Sequence, residues 1–261
     1  MFQTSVLMSG SKGNCFLVKY EDTQIIIDAG ITYKKYAQFL SELNLDPDKL
    51  DAIFISHEHG DHVAGAGVLH RKTGAPLYFT NSTYTYSQKQ LGNLQFPPVF
   101  FNVGDYINIG DLIIHPFFSA HDAIDSCNFL IYPESDDQRK LAIVTDLGHA
   151  HILLKNYLSK ATTIILESNH DVTMLKNGPY EWYLKQRILS KTGHLSNDQA
   201  RELMEEVINE NHKRLILTHL SEINNTPEIA FACMNKMLKK IDSKIALHVA
   251  SQHECTELFD V

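Results

Sequence analysis

The sequence predicts an α+β fold in which two β-sheets pack face to face and helices cover their outer surfaces. Short β-rich runs outnumber helical runs along the 261 residues, yet helical runs recur between them at regular distances. With 44% hydrophobic residues and no linker-like tract, the chain can bury one large core. We therefore expect a single domain over residues 1–261.

The first third of the chain alternates β-rich runs with turns. The runs Phe2–Met8, Cys15–Tyr20 and Gln24–Asp28 predict strands of an antiparallel sheet. Helix-spaced apolar residues over Tyr33–Leu45 predict a helix that ends before an Asp-Pro pair. The compact apolar run Ala52–Ser56 then predicts a buried strand, and a dense histidine cluster begins directly after it.

The rest of the chain continues this alternation of strands and helices. One helix is predicted over Asn197–Asn211 with Ser196 as its N-cap, and another over Thr226–Lys240 with Pro227 at its first helical position. Further strands are predicted at Pro76–Phe79, Tyr106–Ile109, Leu112–Phe118, Cys127–Tyr132, Leu141–Thr145, Thr163–Leu166, Arg214–Thr218 and Lys244–Val249.

Charge and cysteine content exclude several classes of protein. A net charge of -8 and a pI near 5.9 argue against a protein that coats nucleic acid through bulk electrostatics, although a local basic groove would be compatible with them. The four cysteines are far apart, which disfavours a disulfide framework or a thiolate zinc site and predicts a reducing, cytoplasmic compartment. No targeting segment or membrane-spanning run is evident, so no membrane partner is expected.

A cluster of potential metal ligands follows the predicted strand Ala52–Ser56. His57, His59 and His62 supply three imidazoles within one turn, and Asp61 adds a carboxylate. This donor set suits zinc and similar divalent ions. The alternative is a polar surface loop that is rich in histidine without binding metal.

Three more potential ligands, His121, Asp146 and His219, each follow an apolar β-like run. A sandwich that gathers its strand ends at one edge could bring them to the first cluster. Taken singly, each of them could equally be a structural histidine or a turn aspartate.

The pattern H-x-H-x-D-H, followed by an isolated His, an isolated Asp and a last His, resembles the signature of the metallo-β-lactamase superfamily over nearly the whole chain. The resemblance implies an αββα sandwich of two mixed β-sheets and two divalent metal ions per chain, for which zinc, manganese or iron would each fit. The family pattern would place His57, His59 and His121 on one ion, Asp61, His62 and His219 on the other, and Asp146 between them.

Three further segments, 9–14, 167–171 and 193–197, resemble the bacterial YycJ/WalJ group, which is regarded as containing DNA exonucleases. The resemblance implies a dinuclear metal-dependent phosphodiesterase that acts on nucleic acid, DNA more than RNA, through a metal-bridging hydroxide. Related phosphodiesterases, including ribonuclease Z, share the Glu and the His of these segments. The chain is too short to hold the inserted clamping domain of the larger nucleases.

Candidate catalytic residues follow from this chemistry. No nucleophilic side chain is evident, so Asp61 is expected to be a ligand that also orients the hydroxide. By resemblance, His194 held by Glu167 is the candidate that gives the leaving oxygen its proton. The alternative for His194 is a loop residue that bonds to the backbone before the helix N-cap.

Candidate substrate-binding residues lie in two places. Tyr180, Lys185 and Arg187 belong to a segment that mixes basic and aromatic residues and could grip a phosphodiester backbone, although a charged helix face over an apolar core would have the same composition. Ser11 and Asn14 lie in a turn that could bind an anion or only join strands. His170 is a candidate for orienting a ligand, for phosphate binding or for a purely structural role.

Two other functions remain open from the sequence. A small-molecule hydrolase of the same fold, acting on a thioester, lactone or cyclic phosphodiester, would share the metal chemistry and differ in its pocket. A non-catalytic metal-binding regulatory protein is the third hypothesis, and an open ligand set speaks against it. The native metal, the cleavage polarity and the oligomeric state do not follow from the sequence.

Overall fold

Two seven-stranded β-sheets form the centre of the molecule in a computed structural model that describes residues 1–261. In chain order the strands are β1 (Phe2–Met8), β2 (Cys15–Tyr20), β3 (Thr23–Ile27), β4 (Ala52–Phe54), β5 (Leu77–Phe79), β6 (Val99–Phe100), β7 (Ile107–Ile109), β8 (Leu112–Phe118), β9 (Cys127–Pro133), β10 (Leu141–Val144), β11 (Thr163–Glu167), β12 (Arg214–Thr218), β13 (Ala246–Val249) and β14 (Phe259–Asp260). The first sheet has the order β14-β1-β2-β3-β4-β5-β6, and the second has the order β13-β12-β11-β10-β9-β8-β7.

Both sheets are mixed. In the first sheet, β14 and β1 to β3 pair antiparallel, whereas β3 to β6 pair parallel. In the second sheet, β7 to β10 pair antiparallel, whereas β10 to β13 pair parallel. Each parallel connection requires a crossover, and helices supply several of these crossovers.

Nine helices cover the sheets. They are α1 (Tyr33–Glu42), α2 (Gly60–Val63), α3 (Ala66–Thr73), α4 (Asn81–Leu91), α5 (Ile152–Leu158), α6 (Val172–Asn177), α7 (Trp182–Ile188), α8 (Asn197–Val207) and α9 (Pro227–Lys240). Side-chain caps begin most of them, and Ser196 and Gln199 form a complete capping box at the start of α8. None of these helices is both long and apolar enough to cross a membrane.

Three apolar clusters show how the layers pack. The central cluster of 21 buried residues lies between the sheets and joins side chains such as Phe54 from the first sheet to Phe129 and Ile216 from the second. Clusters of 19 and 23 buried residues fill the space between each sheet and its helices. Strands that are buried on both faces explain the continuous apolar runs in the sequence. The predicted α+β sandwich of two mixed sheets with helices outside is confirmed.

The structure differs from the sequence-based expectations mainly in the lengths of elements. The helix expected over Asn197–Asn211 ends at Val207, because Ile208 adopts an extended conformation with ψ 135°. The helix expected over Tyr33–Leu45 ends at Glu42, after which Asn44 has a positive φ of 56°. Helices α2 to α7 and the two-residue strands β6 and β14 were not predicted individually, because most of these elements are short and α4 buries only one apolar side chain.

The two ends of the chain meet in the first sheet. Gln3 of β1 pairs with Asp260 of β14, and the Val261 N–H donates to the Phe2 carbonyl at 3.0 Å. Phe259 and Val261 are both buried in the central cluster. The last residues of the chain therefore complete both the edge of the first sheet and the core between the sheets.

Candidate metal centre

The seven residues predicted as metal ligands lie together at one edge of the sandwich. His57, His59, Asp61 and His62 follow β4, and the other three, His121, Asp146 and His219, follow β8, β10 and β12. Both sheets therefore contribute to the centre. Asp146 and His219 have positive φ values of 53° and 57°, so the chain turns sharply at the ends of their strands.

The first group consists of His57, His59 and His121. His59 Nδ1 lies 3.1 Å from His57 Nε2 and 3.3 Å from His121 Nε2. The three ligand atoms all lie within 4.8 Å of one another, so a single cation could contact all three.

The second group consists of Asp61, His62 and His219, whose ligand atoms also lie within 4.8 Å of one another. Asp146 lies between the two groups. Its Oδ2 is 3.1 Å from His62 Nε2, and its Oδ1 is 3.7 Å from His121 Nε2 and 3.6 Å from His219 Nε2. One carboxylate therefore faces both groups of ligands.

Two buried polar atoms without partners indicate that this centre fits a cation. Asp146 Oδ2 and His219 Nε2 are buried and have no hydrogen-bond partner. An unpaired buried polar atom costs free energy, and native structures seldom leave one unsatisfied. Imidazole and carboxylate donors that converge in this way suit a divalent metal ion, and the chain has a divalent metal-binding centre.

Electrostatic interactions within the centre are strong. Burial disfavours ionisation of Asp146, but His219 and His62 hold the pKa of its carboxyl well below the usual range. Burial also opposes the charge on His219, yet Asp146, Asp61 and Glu167 raise its pKa to about 10. The carboxylates are therefore ionised at neutral pH and attract positive charge into the centre.

A second layer of side chains orients the ligands. His62 Nδ1 donates to Asp28 Oδ2 at 2.7 Å, and Ser56 Oγ donates to the same oxygen at 2.9 Å. Ser56 Oγ also lies 2.9 Å from His57 Nδ1. Asp28 and Ser56 were not among the residues predicted from the sequence to belong to this centre. The sequence signal for each was its position just after an apolar strand. The structure adds a positive φ of 61° at Asp28.

Asn14 belongs to this second layer. Its Nδ2 donates to Asp61 Oδ2 at 3.2 Å and lies 3.0 Å from His62 Nε2, and its side chain is buried. Gly30 lies against the same loop, because a Cβ atom there would be 1.7 Å from the Asp61 carbonyl oxygen. Close packing of the two loops therefore fixes the backbone at Asp61.

Glu167 connects the centre to His194. Its Oε1 accepts hydrogen bonds from His194 Nδ1 at 2.7 Å and from His219 Nδ1 at 2.9 Å. Its Oε2 accepts from the backbone N–H groups of Leu147 and Leu195, each at 3.0 Å. Burial opposes ionisation, but His194 and the other donors lower the pKa of Glu167 to about 2. Glu167 is thus a fully hydrogen-bonded carboxylate, and His194 is oriented by it.

A cavity of about 440 Å³ opens over the centre. Its lining includes ligand residues such as His59 and Asp61, together with His194. Among the candidate substrate-binding residues, Ser11, Tyr180 and Arg187 also line it.

Three other candidates lie outside the lining of the cavity. Asn14 belongs to the second layer, as described above. Lys185 Nζ donates to the backbone carbonyls of Lys176 and Gly178 at 2.9 and 2.7 Å. His170 is completely buried, and its Nε2 has no partner. Direct contact of Lys185 or His170 with a ligand in the cavity would require a rearrangement.

Comparison with known proteins places these observations in a family. The family model described as "Metallo-beta-lactamase superfamily" matches residues 9–219. The chain is 37% identical over 244 residues to "Exodeoxyribonuclease WalJ" of Streptococcus pneumoniae serotype 2 (strain D39 / NCTC 7466), covering 92% of this chain and 90% of that protein. It is 36% identical over 237 residues to "Exodeoxyribonuclease YycJ" of Bacillus anthracis, covering 90% of this chain and 89% of that protein.

Solved structures share the fold at low sequence identity. The metallo-beta-lactamase fold protein YhfI from Bacillus subtilis superposes with a TM-score of 0.72 at 17% identity, covering 98% of both chains. The short form of human tRNase Z superposes with a TM-score of 0.67 at 15% identity, covering 99% of this chain and 100% of that chain.

Proposed function

We propose that this chain, which belongs to the metallo-beta-lactamase superfamily, is a metal-dependent phosphodiesterase. In the proposed reaction it removes nucleotides from the end of a nucleic acid strand. The observation that carries the proposal is that His194, which Glu167 holds by a hydrogen bond, lines the same cavity as the ligand cluster. We propose DNA and not RNA as the substrate, because the relatives that are 36 and 37% identical to this chain are named exodeoxyribonucleases.

The proposed centre holds two divalent ions. His57, His59 and His121 would hold one ion, Asp61, His62 and His219 the other, and Asp146 would contact both. Zinc, manganese and iron each fit these donors. Bound divalent ions lower the pKa of water and neutralise charge on a phosphoryl group.

The role proposed for His194 is to give a proton to the leaving oxygen. Its side chain is 20% exposed and lines the cavity, whereas Glu167 is fully buried behind it. Because Glu167 accepts from His194 Nδ1, the Nε2 atom is the one that can face substrate. The carboxylate also holds the imidazole ring in one orientation, which a residue that transfers a proton to substrate requires.

Other residues of the cavity supply substrate contacts in this proposal. Arg187 would contact phosphate, Tyr180 would pack against a base or sugar, and Ser11 would donate to an anion. Asp61 has a second proposed role, which is to orient the attacking water, because its carboxylate is partly exposed in the cavity.

We further propose a single domain over residues 1–261 in a reducing, cytoplasmic setting. All four cysteines are free, and Cys15 and Cys127 are buried in apolar clusters. Thiols that take no part in a disulfide or a metal site are typical of such a compartment.

The test is digestion of end-labelled double-stranded DNA, single-stranded DNA and RNA by protein reconstituted separately with manganese and zinc. Stepwise shortening of DNA that is lost in Asp61→Ala and strongly reduced in His194→Ala supports the proposal. Cleavage of RNA alone would change the substrate class. Absence of cleavage of any polymer, together with turnover of a thioester, lactone or cyclic phosphodiester, would replace the nuclease with a small-molecule hydrolase. No turnover of any substrate would leave a metal-binding regulatory protein.

A further inference from the structure

Arg187 and Asp122 form an ion pair on the wall of the cavity. Arg187 Nε donates to Asp122 Oδ2, and both residues line the cavity. Asp122 directly follows the candidate ligand His121, and its Oδ1 lies 3.3 Å from His121 Nε2. The Asp122 carboxylate therefore bridges the guanidinium group and the metal centre.

The guanidinium group of Arg187 has an unused face. Neither Nη1 nor Nη2 makes a hydrogen bond to the protein, and the side chain is 55% exposed. Arg201 on α8 provides a contrast, because its Nη1 and Nη2 both contact glutamates. Two free Nη groups in one plane match two oxygens of a phosphate group.

The position of Arg187 depends on its links to the loop after β8. Helix α7, which carries Arg187, has no buried residue. The Asp122 N–H donates to the Thr192 carbonyl at 3.0 Å, and His121 Nδ1 donates to the Gly193 carbonyl at 3.2 Å. With the Arg187–Asp122 pair, these bonds hold α7 and the following loop at a fixed place relative to His121.

We propose that Asp122 is a positioning residue that holds Arg187 ready for a phosphate adjacent to the scissile one. The scissile phosphate would lie at the metal centre. The Asp122 side chain lies between Arg187 and the candidate ligand His121, so Arg187 is placed to contact a different phosphate. A substrate with several phosphates in a row would contact both places, whereas an ester with a single phosphate would contact only the centre. This inference rests on the proposed nuclease function.

The test uses short DNA strands in which one phosphate at a time, on either side of the scissile bond, is replaced by an uncharged methylphosphonate. We expect Arg187→Ala to raise KM for the fully charged strand by about 10–100-fold, the usual loss for a charge-assisted contact. At the contacted position the methylphosphonate should raise the KM of the wild type and have little further effect on Arg187→Ala.

Asp122→Asn should also raise KM, and by a larger factor than it lowers kcat. Its metal content should equal that of the wild type. Asp122→Glu, which keeps the charge, should recover part of the lost affinity. Arg139 and Asp136 provide a matched control, because they form an ion pair of the same type at 2.6 Å in an exposed loop that does not line the cavity. Arg139→Ala and Asp136→Asn should change neither KM nor the response to methylphosphonate.

Several outcomes would overturn the inference. If Arg187→Ala loses the same factor on charged and uncharged strands at every position, Arg187 does not contact an adjacent phosphate. If Asp122→Asn releases metal, the carboxylate acts on the centre and not on Arg187. If the wild type cleaves DNA and Arg187→Ala and Asp122→Asn have the same KM as the wild type, this inference is wrong but the proposed function stands. If the wild type cleaves no strand, the proposed function fails and this inference fails with it.

Discussion

The carboxylate of Asp28 lies 2.7 Å from His62 Nδ1, and both side chains are at most 1% exposed. His62 therefore presents its Nε2 atom to the metal centre in a fixed orientation. Asp28 is held in turn by the backbone N–H of Ser56, which donates to its Oδ1 at 2.8 Å. A carboxylate that orients a metal-ligating histidine also makes that histidine a stronger donor.

Replacement of Asp28 by Asn should lower the affinity for divalent metal by about 10–100-fold, the usual effect of removing such a partner. Competition with a fluorescent chelator would measure the change. Asp51→Asn is a suitable control. Asp51 accepts a hydrogen bond from the Gln24 backbone N–H at the start of β3, whereas Asp28 follows the end of β3. Equal affinities in the wild type and Asp28→Asn would show that His62 needs no orientation.

Variants of Glu167 and His194 should differ in metal content. Both Glu167→Gln and His194→Ala should lower kcat by about 100–10,000-fold, since each removes the proposed proton donor or its partner. Of the two residues, only Glu167 makes a hydrogen bond to His219, so Glu167→Gln should also weaken metal binding, whereas His194→Ala should retain its metal. Elemental analysis beside the rate measurements checks both statements. Loss of metal from His194→Ala would contradict the assigned role.

Gly30→Ala should disturb the metal centre without replacing any ligand. A Cβ atom at Gly30 would lie 1.7 Å from the Asp61 carbonyl oxygen, so the ligand loop must move. We expect both weaker metal binding and a lower free energy of unfolding. Gly74→Ala is the matched control: a Cβ atom there meets nothing within 4 Å, and its φ of 75° should cost only about 1 kcal/mol. Identical metal affinity in the Gly30→Ala variant would refute the expectation.

His170 should make the stability of the protein depend on pH. Burial lowers the pKa of His170 to about 4 from the ordinary value of 6.5. Between these two values the unfolded chain binds more protons than the folded one, so the free energy of unfolding falls as the pH drops through this window. Once the pH is below both values, the free energy of unfolding has fallen by an amount on the order of 3 kcal/mol.

Urea unfolding of metal-free protein at pH 7 and pH 5 would test this dependence in the wild type and in His170→Asn. The variant should show a smaller loss of stability at pH 5. Parallel losses in the two proteins would assign the pH dependence to other histidines.

The fold and the composition of the centre follow largely from the sequence, because the histidine cluster and each of the three later candidate ligands come shortly after an apolar run. Runs of that kind predict strands, and strand ends gather at one edge of a sandwich. Asp28 could not be predicted in the same way. A single aspartate after a strand is common in turns, and its partner His62 is 34 positions away.

The segment around α7 shows a second limit of sequence patterns. Lys185 and Arg187 have the same charge and lie two positions apart, so composition alone treats them alike. In the structure, Arg187 lines the cavity, whereas Lys185 binds the carbonyls at the end of α6. Which side of a short exposed helix faces a cavity depends on tertiary contacts, such as the pair with Asp122, which no local periodicity encodes.

The pairing of β1 with β14 has a consequence for the order of folding during synthesis. Strand β1 obtains its outer neighbour only after residues 259–260 have been made. Until then the amino-terminal sheet keeps one open edge, and the core between the sheets lacks Phe259 and Val261. The nascent chain must therefore protect an incomplete sheet while residues 9–258 are translated, because an unpaired strand is prone to aggregate.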